Sequence, residues 1–173
     1  MQAELRLTPT SYIVLGFLDW SGEPTTPYRL KQLVARSVGY FWTLQHAQLY
    51  TEPERLAKAG YVSRESERKG RRRKLYTITP KGRQALAAWR ADPAGEIPEL
   101  RNQALLKIFF GADMSALAPQ QIEAHRSRLA EYEEIRAGMP ASVPEGPRVA
   151  LEAGISWERH QIECWEAVIV SGP

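Results

Sequence analysis

The chain has 173 residues, 43% of them hydrophobic and 25% charged, which suits one large domain or two small ones with a real core. Its one cysteine, Cys164, excludes an intramolecular disulfide framework, and no apolar stretch is long enough for a membrane helix. Net charge is +3, but residues 1–92 carry 16 Lys and Arg against 8 Asp and Glu, whereas residues 93–173 carry 7 against 12.

In chain order, Leu7-Thr8-Pro9 opens a first helix, with Thr8 as cap and Pro9 at the first helical position. Tyr12 to Trp20 is apolar nearly all round, so this helix is expected to be covered on several sides, in part by another chain. Ser21 to Pro24 reads as a turn, and a second helix is expected over about 27–37 with Leu30, Leu33 and Val34 as its stripe. A third helix is expected over about 45–59, with Leu49 and Leu56 inward and Gln48, Glu52 and Arg55 on other faces. Val62 and the run Leu75 to Ile78 fit two strands of a hairpin, and Thr79-Pro80 starts a fourth helix carrying Ala85, Leu86 and Trp89.

Residues 93–98 read as a linker, and 99–173 as an all-helical second domain. A short buried helix is expected at Leu105 to Phe110, ended by Gly111, then a long one over about 120–138 with Tyr132 among its apolar positions. Pro140 to Pro147 is a loop. The last helix spaces Leu151, Ile155, Glu158, Ile162, Trp165 and Ile169 at fours and threes, a coiled-coil-like seam. That seam serves either a homodimer or an internal antiparallel pairing with helix 120–138.

Three helices, a hairpin and a fourth helix make the order of a winged helix-turn-helix, in which the second helix of the motif enters the major groove. The fold class is mostly α with a small β-hairpin wing: DNA-binding residues 1–92 and a helical dimerisation domain. Thr43, Gln45, His46, Gln48 and Thr51 are the candidate base readers, because polar side chains there can meet base-edge donors and acceptors. The wing sequence 64–74 holds seven basic and two acidic side chains; Lys69, Arg71, Arg72, Arg73 and Lys74 are its candidate phosphate contacts. The competing reading of such a run is a solvated turn.

These segments also carry a resemblance. Leu7-Thr8 through Leu15-Gly16-Phe17-Leu18, Tyr28-Arg29-Leu30-Lys31, and Phe41-Trp42 through Gln48-Leu49-Tyr50 are its first pieces. Arg55-Leu56 through Gly60-Tyr61-Val62, and Gly70 through Thr79 to Gly82, complete it. In order and spacing these segments resemble the PadR family of transcriptional regulators, and residues 99–170 are similar to the longer C-terminal domain of one branch. The resemblance implies a dimeric winged-helix repressor whose DNA contacts fall on Gln45, His46, Gln48, Tyr50 and the basic hairpin. For Tyr50 a core aromatic is the alternative. It also implies a small aromatic effector, for which Tyr132, Trp157, His160 and Trp165 are candidate residues of a pocket between subunits unless that stripe is packed core. Two departures stand out. Gln45 occupies a capping position where the family carries Ser or Thr, and Pro53 inside the reading helix is expected to kink it.

His160 and Cys164 share a helix face, and only His125 or a second subunit can add to them, which falls short of a zinc set; no metal and no cofactor are expected. No phosphate-binding Gly loop or nucleophile elbow marks an enzyme. The expected partners are a pseudo-palindromic double-stranded operator and a second copy of the chain, with no membrane, in the cytoplasm. The rival class is a winged-helix protein-interaction adaptor that binds no DNA.

Overall fold

The computed structural model describes residues 5–67, 73–95 and 101–170. The chain divides into two compact units, Met1–Glu96 and Ile97–Pro173.

In the first unit, α1 (Pro9–Ser21), α2 (Pro27–Ala35) and α4 (Pro80–Ala91) each begin with proline at the first helical position after a threonine cap. The threonines Thr8, Thr26 and Thr79 accept from the backbone N–H three residues on, which satisfies a donor the helix start leaves free. A short 3₁₀ turn, Val38–Tyr40, follows α2. Helix α3 spans Gln48–Lys58, and strands β1 (Val62–Ser66) and β2 (Lys74–Ile78) pair antiparallel, Val62 opposite Ile78 and Ser66 opposite Lys74. Thr25 adds a bridge on the other edge of β2, its N–H and C=O exchanging 2.9 Å bonds with Tyr76. The sequence leaves Thr25 unassigned, between the Ser21 to Pro24 turn and the second helix.

Helix α1 is the axis of this unit. Val14, Leu15 and Leu18 are essentially inaccessible and pack with Leu30, Leu49, Leu56, Tyr76, Ile78 and Leu86. Within the same unit α2, α3, α4 and β2 already pack around much of α1. Of its large side chains only Trp20 stays mostly exposed. Tyr12 is stacked on Trp89 at 4.7 Å between ring centres.

In the second unit, α5 (Gln103–Phe109) is followed by α6 (Met114–Ala137) and α7 (Glu145–Val170). Helices α6 and α7 form an antiparallel hairpin. Ion pairs run in opposite chain directions along it: Arg126 to Glu166 at 2.8 Å, Arg159 to Glu133 at 2.6 Å, and Arg136 to Glu152 at 3.4 Å. At Gly154 a side chain would come within 3.0 Å of the Tyr132 ring, so the glycine lets the helices approach.

Within one chain this hairpin already covers much of the seam, the internal pairing that its spacing also allows. Ile155 and Trp165 are buried within a single chain, and Leu151 and Ile162 are half-buried there. Trp165 packs with Ala104, Ala118 and Ile122. Of the five dimerisation candidates only Ile169 is mainly exposed. The four-three spacing is satisfied by the chain's own α6. The expected burial of the short helix is corrected. Leu105 and Leu106 are exposed, Phe109 and Phe110 are 80% and 78% accessible, and only Ala104 of that helix is buried.

Candidate nucleic-acid interface

Helix α3 begins three residues later than its sequence suggests, because no side chain caps it. Gln48, Leu49 and Tyr50 instead donate to the carbonyls of Gln45, His46 and Ala47, a tightened first turn. The Gln48 side chain reaches back and accepts from the Gln45 backbone N–H at 3.2 Å. Pro53 does not interrupt the helix, which runs unbroken to Lys58. Its ring is fully buried with Leu49 and Leu56 on the inward face, so core packing holds the helix where one backbone bond is missing.

Every candidate reader is exposed. Thr43, Gln45, His46, Gln48, Tyr50 and Thr51 all lie on the outer side at or just before the start of α3. Tyr50 is 47% accessible, so it is a surface residue and no core aromatic. Thr51 also bonds back to the Ala47 carbonyl at 3.2 Å.

On the inward side lies a network that the sequence reading missed. Glu52, expected on an outer face, is buried. It accepts from Ser11 Oγ at 2.6 Å and from Arg55 at 2.6 and 2.8 Å. Arg55 also donates to Ser11 Oγ at 2.9 Å and to the Arg6 carbonyl at 3.0 Å. This ties α1 to α3 and makes Arg55 an intradomain ion-pair residue. Burial pushes the Glu52 carboxyl up, but the bonds from Arg55 and Ser11 outweigh it and hold it below the ordinary range.

The wing is held to α3 by a second carboxylate. Strand alternation puts Val62, Arg64 and Ser66 on one face with Lys74, Tyr76 and Ile78. The apolar members of that face are buried, and its outer end carries Arg64 and Lys74. Both cations meet Glu54 of α3: Arg64 Nη1 donates at 2.9 Å, and Lys74 Nζ binds the other carboxylate oxygen. The Tyr76 hydroxyl donates to that same oxygen at 2.8 Å. Bonds from Lys74 and Tyr76 lead in pulling the Glu54 carboxyl down to about 2. Burial, then the hydrogen bond to Glu54 and its charge, push the Tyr76 hydroxyl up. Farther out, Arg73 pairs with Glu67 at 2.8 Å. Of the wing candidates, Arg73 and Lys74 are therefore exposed but engaged, and Lys69, Arg71 and Arg72 lie outside the described residues.

The sign of the Glu54 shift sets a pH dependence. A carboxyl depressed on folding contributes its stability above its unfolded value, ordinarily 4.5, and loses it as pH falls through the folded value of about 2. Glu52 shifts in the same direction. Denaturant midpoints followed on acidification should fall across that window, and the fall should be smaller in Glu54→Gln. An equal fall in the variant would remove Glu54 as a contributor.

In the second unit the aromatic candidates do not converge. Trp165 and Tyr132 are core, and His160 lies on an exposed face with its Nε2 3.4 Å from Cys164 Sγ. Trp157 lines an open cleft of about 500 Å³ shared with Lys107, Gln120, His125 and Gln161. Of the four pocket candidates, Tyr132 and Trp165 are thus packed core within one chain, and Trp157 and His160 stay exposed. His125 Nδ1 lies 2.5 Å from the buried Glu158, which gives both the histidine and the polar seam position a partner.

Comparison with known proteins agrees with this geometry. Residues 14–88 match the transcriptional regulator PadR-like family, and residues 100–169 match the virulence activator alpha C-terminal family. The negative transcriptional regulator PadR of Bacillus subtilis is 27% identical over 91% of this chain and 94% of its own length. The crystal structure of that PadR with operator DNA superposes with a TM-score of 0.80 at 22% identity, covering 92% of this chain and 96% of that one. Its complex with p-coumaric acid gives 0.75 at 22% identity, over 94% and 96%. The exposed start of α3, the hairpin braced against it and the helical second unit are thus the parts of a known architecture, and residues 14–88 form a domain of the transcriptional regulator PadR-like family.

Proposed function

We propose that this chain is a repressor that binds double-stranded DNA as a homodimer in the cytoplasm and is released by a small aromatic ligand. The observation that carries the reading is the continuous exposed set Thr43, Gln45, His46, Gln48, Tyr50 and Thr51 at the head of a helix braced by a basic hairpin. Polar side chains at the start of a recognition helix are those that reach base edges. Gln48 is best placed to read adenine, and Tyr50 to meet the sugar-phosphate backbone. Arg73 and the basic residues 69–72 supply phosphate contacts that orient the domain without reading sequence.

A dimer aligns two such helices with successive major grooves. With the α7 seam closed inside the chain, the exposed face of α5 takes over as the contact surface, and Phe109 and Phe110 lead it. The ligand site is the open cleft beside Trp157, whose volume falls in the range of small-molecule sites. Trp157 offers a ring face, while Lys107 and His125 offer polar contacts to an aromatic acid.

A salt titration on duplex DNA tests the reading. Binding should weaken steeply as salt rises, through release of counterions from neutralised phosphates. Gln48→Ala should then cost about 1–3 kcal/mol and relax discrimination at one base pair. Absence of duplex binding near physiological salt would favour the adaptor reading instead.

A further inference from the structure

Arg64 and Lys74 are the described wing cations nearest the reading helix, and both are turned onto its Glu54. Their side chains are 50% and 54% accessible, whereas Glu54 is 23% accessible. The carboxylate is fully engaged: one oxygen accepts from Arg64 and the other from Lys74 and the Tyr76 hydroxyl. Glu54 lies four residues after Tyr50 and three after Thr51, hence on the same side of α3 as those two candidates. An anion here sits where positive charge favours binding to a polyanion, and it binds the same guanidinium and ammonium donors that a phosphate would.

We propose that Glu54 acts as an internal competitor of DNA phosphate: it holds Arg64 and Lys74 as braces between wing and reading helix, and so withholds two sequence-blind contacts from the duplex. The inference rests on the DNA-binding reading above. Glu54 is a positioning residue in this scheme, acting through Arg64 and Lys74. Phosphate contacts raise affinity for every sequence alike. Holding two of them back lowers the background against which Gln48 and its neighbours must discriminate.

The probe is a mixed-sequence duplex titrated with salt. Each phosphate neutralised on B-DNA contributes about 0.9 to the slope of log affinity against log salt. Glu54→Gln keeps the side-chain shape and removes the charge. It should bind the duplex more tightly, with a slope steeper by about 1.8, the sum for two contacts. Adding Arg64→Ala and Lys74→Ala to that variant should return the slope to the wild-type value. A folded Glu54→Gln protein with an unchanged or shallower slope would overturn the proposal.

A second measurement does not depend on that variant folding. Arg64→Ala with Lys74→Ala in the otherwise natural chain should leave the slope unaltered, because neither cation contacts phosphate there. A slope shallower by about 1.8 would show that both already do, and would end the competitor role. Wild-type protein that binds no duplex at low salt would overturn the DNA-binding reading itself, an outcome separate from binding with the wrong slopes.

Discussion

Gly82→Ala is expected to lower the unfolding free energy of the first unit by about 3 kcal/mol, at the upper end for overpacking a well-filled core. Gly82 is the third residue of α4, where its N–H donates to the capping Thr79 hydroxyl at 3.2 Å. A Cβ there would stand 2.2 Å from the Tyr61 carbonyl oxygen, 2.8 Å from Ile78 Cγ1 and 3.2 Å from Leu15 Cδ2. The first neighbour is backbone, fixed at the end of the α3–β1 connection, so no rotamer change relieves it. Ile78 and Leu15 are themselves buried. The methyl group would force α4 outward from α1 and from the base of the wing. Since a domain holds only about 5–15 kcal/mol in total, the loss is a large share. Denaturant unfolding measures it, and a change under about 0.5 kcal/mol would mean that α4 can shift freely. Lost stability should also bring weaker duplex binding, because β2 runs directly into the cap of α4.

Parts of this architecture were legible because single residues carry local rules. Thr8-Pro9 and Thr79-Pro80 mark helix starts through a hydroxyl acceptor and a residue that needs no donor, and both helices begin there. Alternation in Leu75 to Ile78 marks a strand, and Leu49 and Leu56 mark the inward face of the reading helix. What stayed hidden depends on tertiary partners. Glu52 reads as a surface carboxylate until Ser11 and Arg55, distant or angled in the chain, enclose it. Glu54 likewise gives no signal in the sequence, because its partners Arg64, Lys74 and Tyr76 reach it only once the hairpin folds back. Pro53 shows the same dependence on tertiary packing. The local rule against proline in a helix holds, but burial of its ring outweighs one absent backbone bond. A four-three seam reports that α7 has a helical partner without saying whose helix it is, and the α6 of the same chain fills that place.

Trp165→Ala separates those two partners. Trp165 is 2% accessible inside one chain, packed on Ala104, Ala118 and Ile122, and truncating a buried tryptophan costs about 3–5 kcal/mol. The loss should show in unfolding of the second unit, read at one fixed high protein concentration. Serine at Phe109 and Phe110 should do the reverse. These rings stand edge to face at 5.2 Å in a single chain, with little of either covered. Removing them leaves the α6–α7 core intact. If a second copy buries them, each contributes about 1.5–3 kcal/mol to association. Sedimentation equilibrium should therefore show a dimer in the natural chain, a shift toward monomer in the Phe109→Ser, Phe110→Ser protein, and unchanged helical content in both. An unaltered dimer in that protein would move the interface off α5. A Trp165→Ala protein that loses association but keeps its unfolding free energy would return α7 to the subunit boundary. Burial decides which result to expect: a side chain already removed from water by its own chain has little left to gain from a second one, whereas two exposed phenylalanines do.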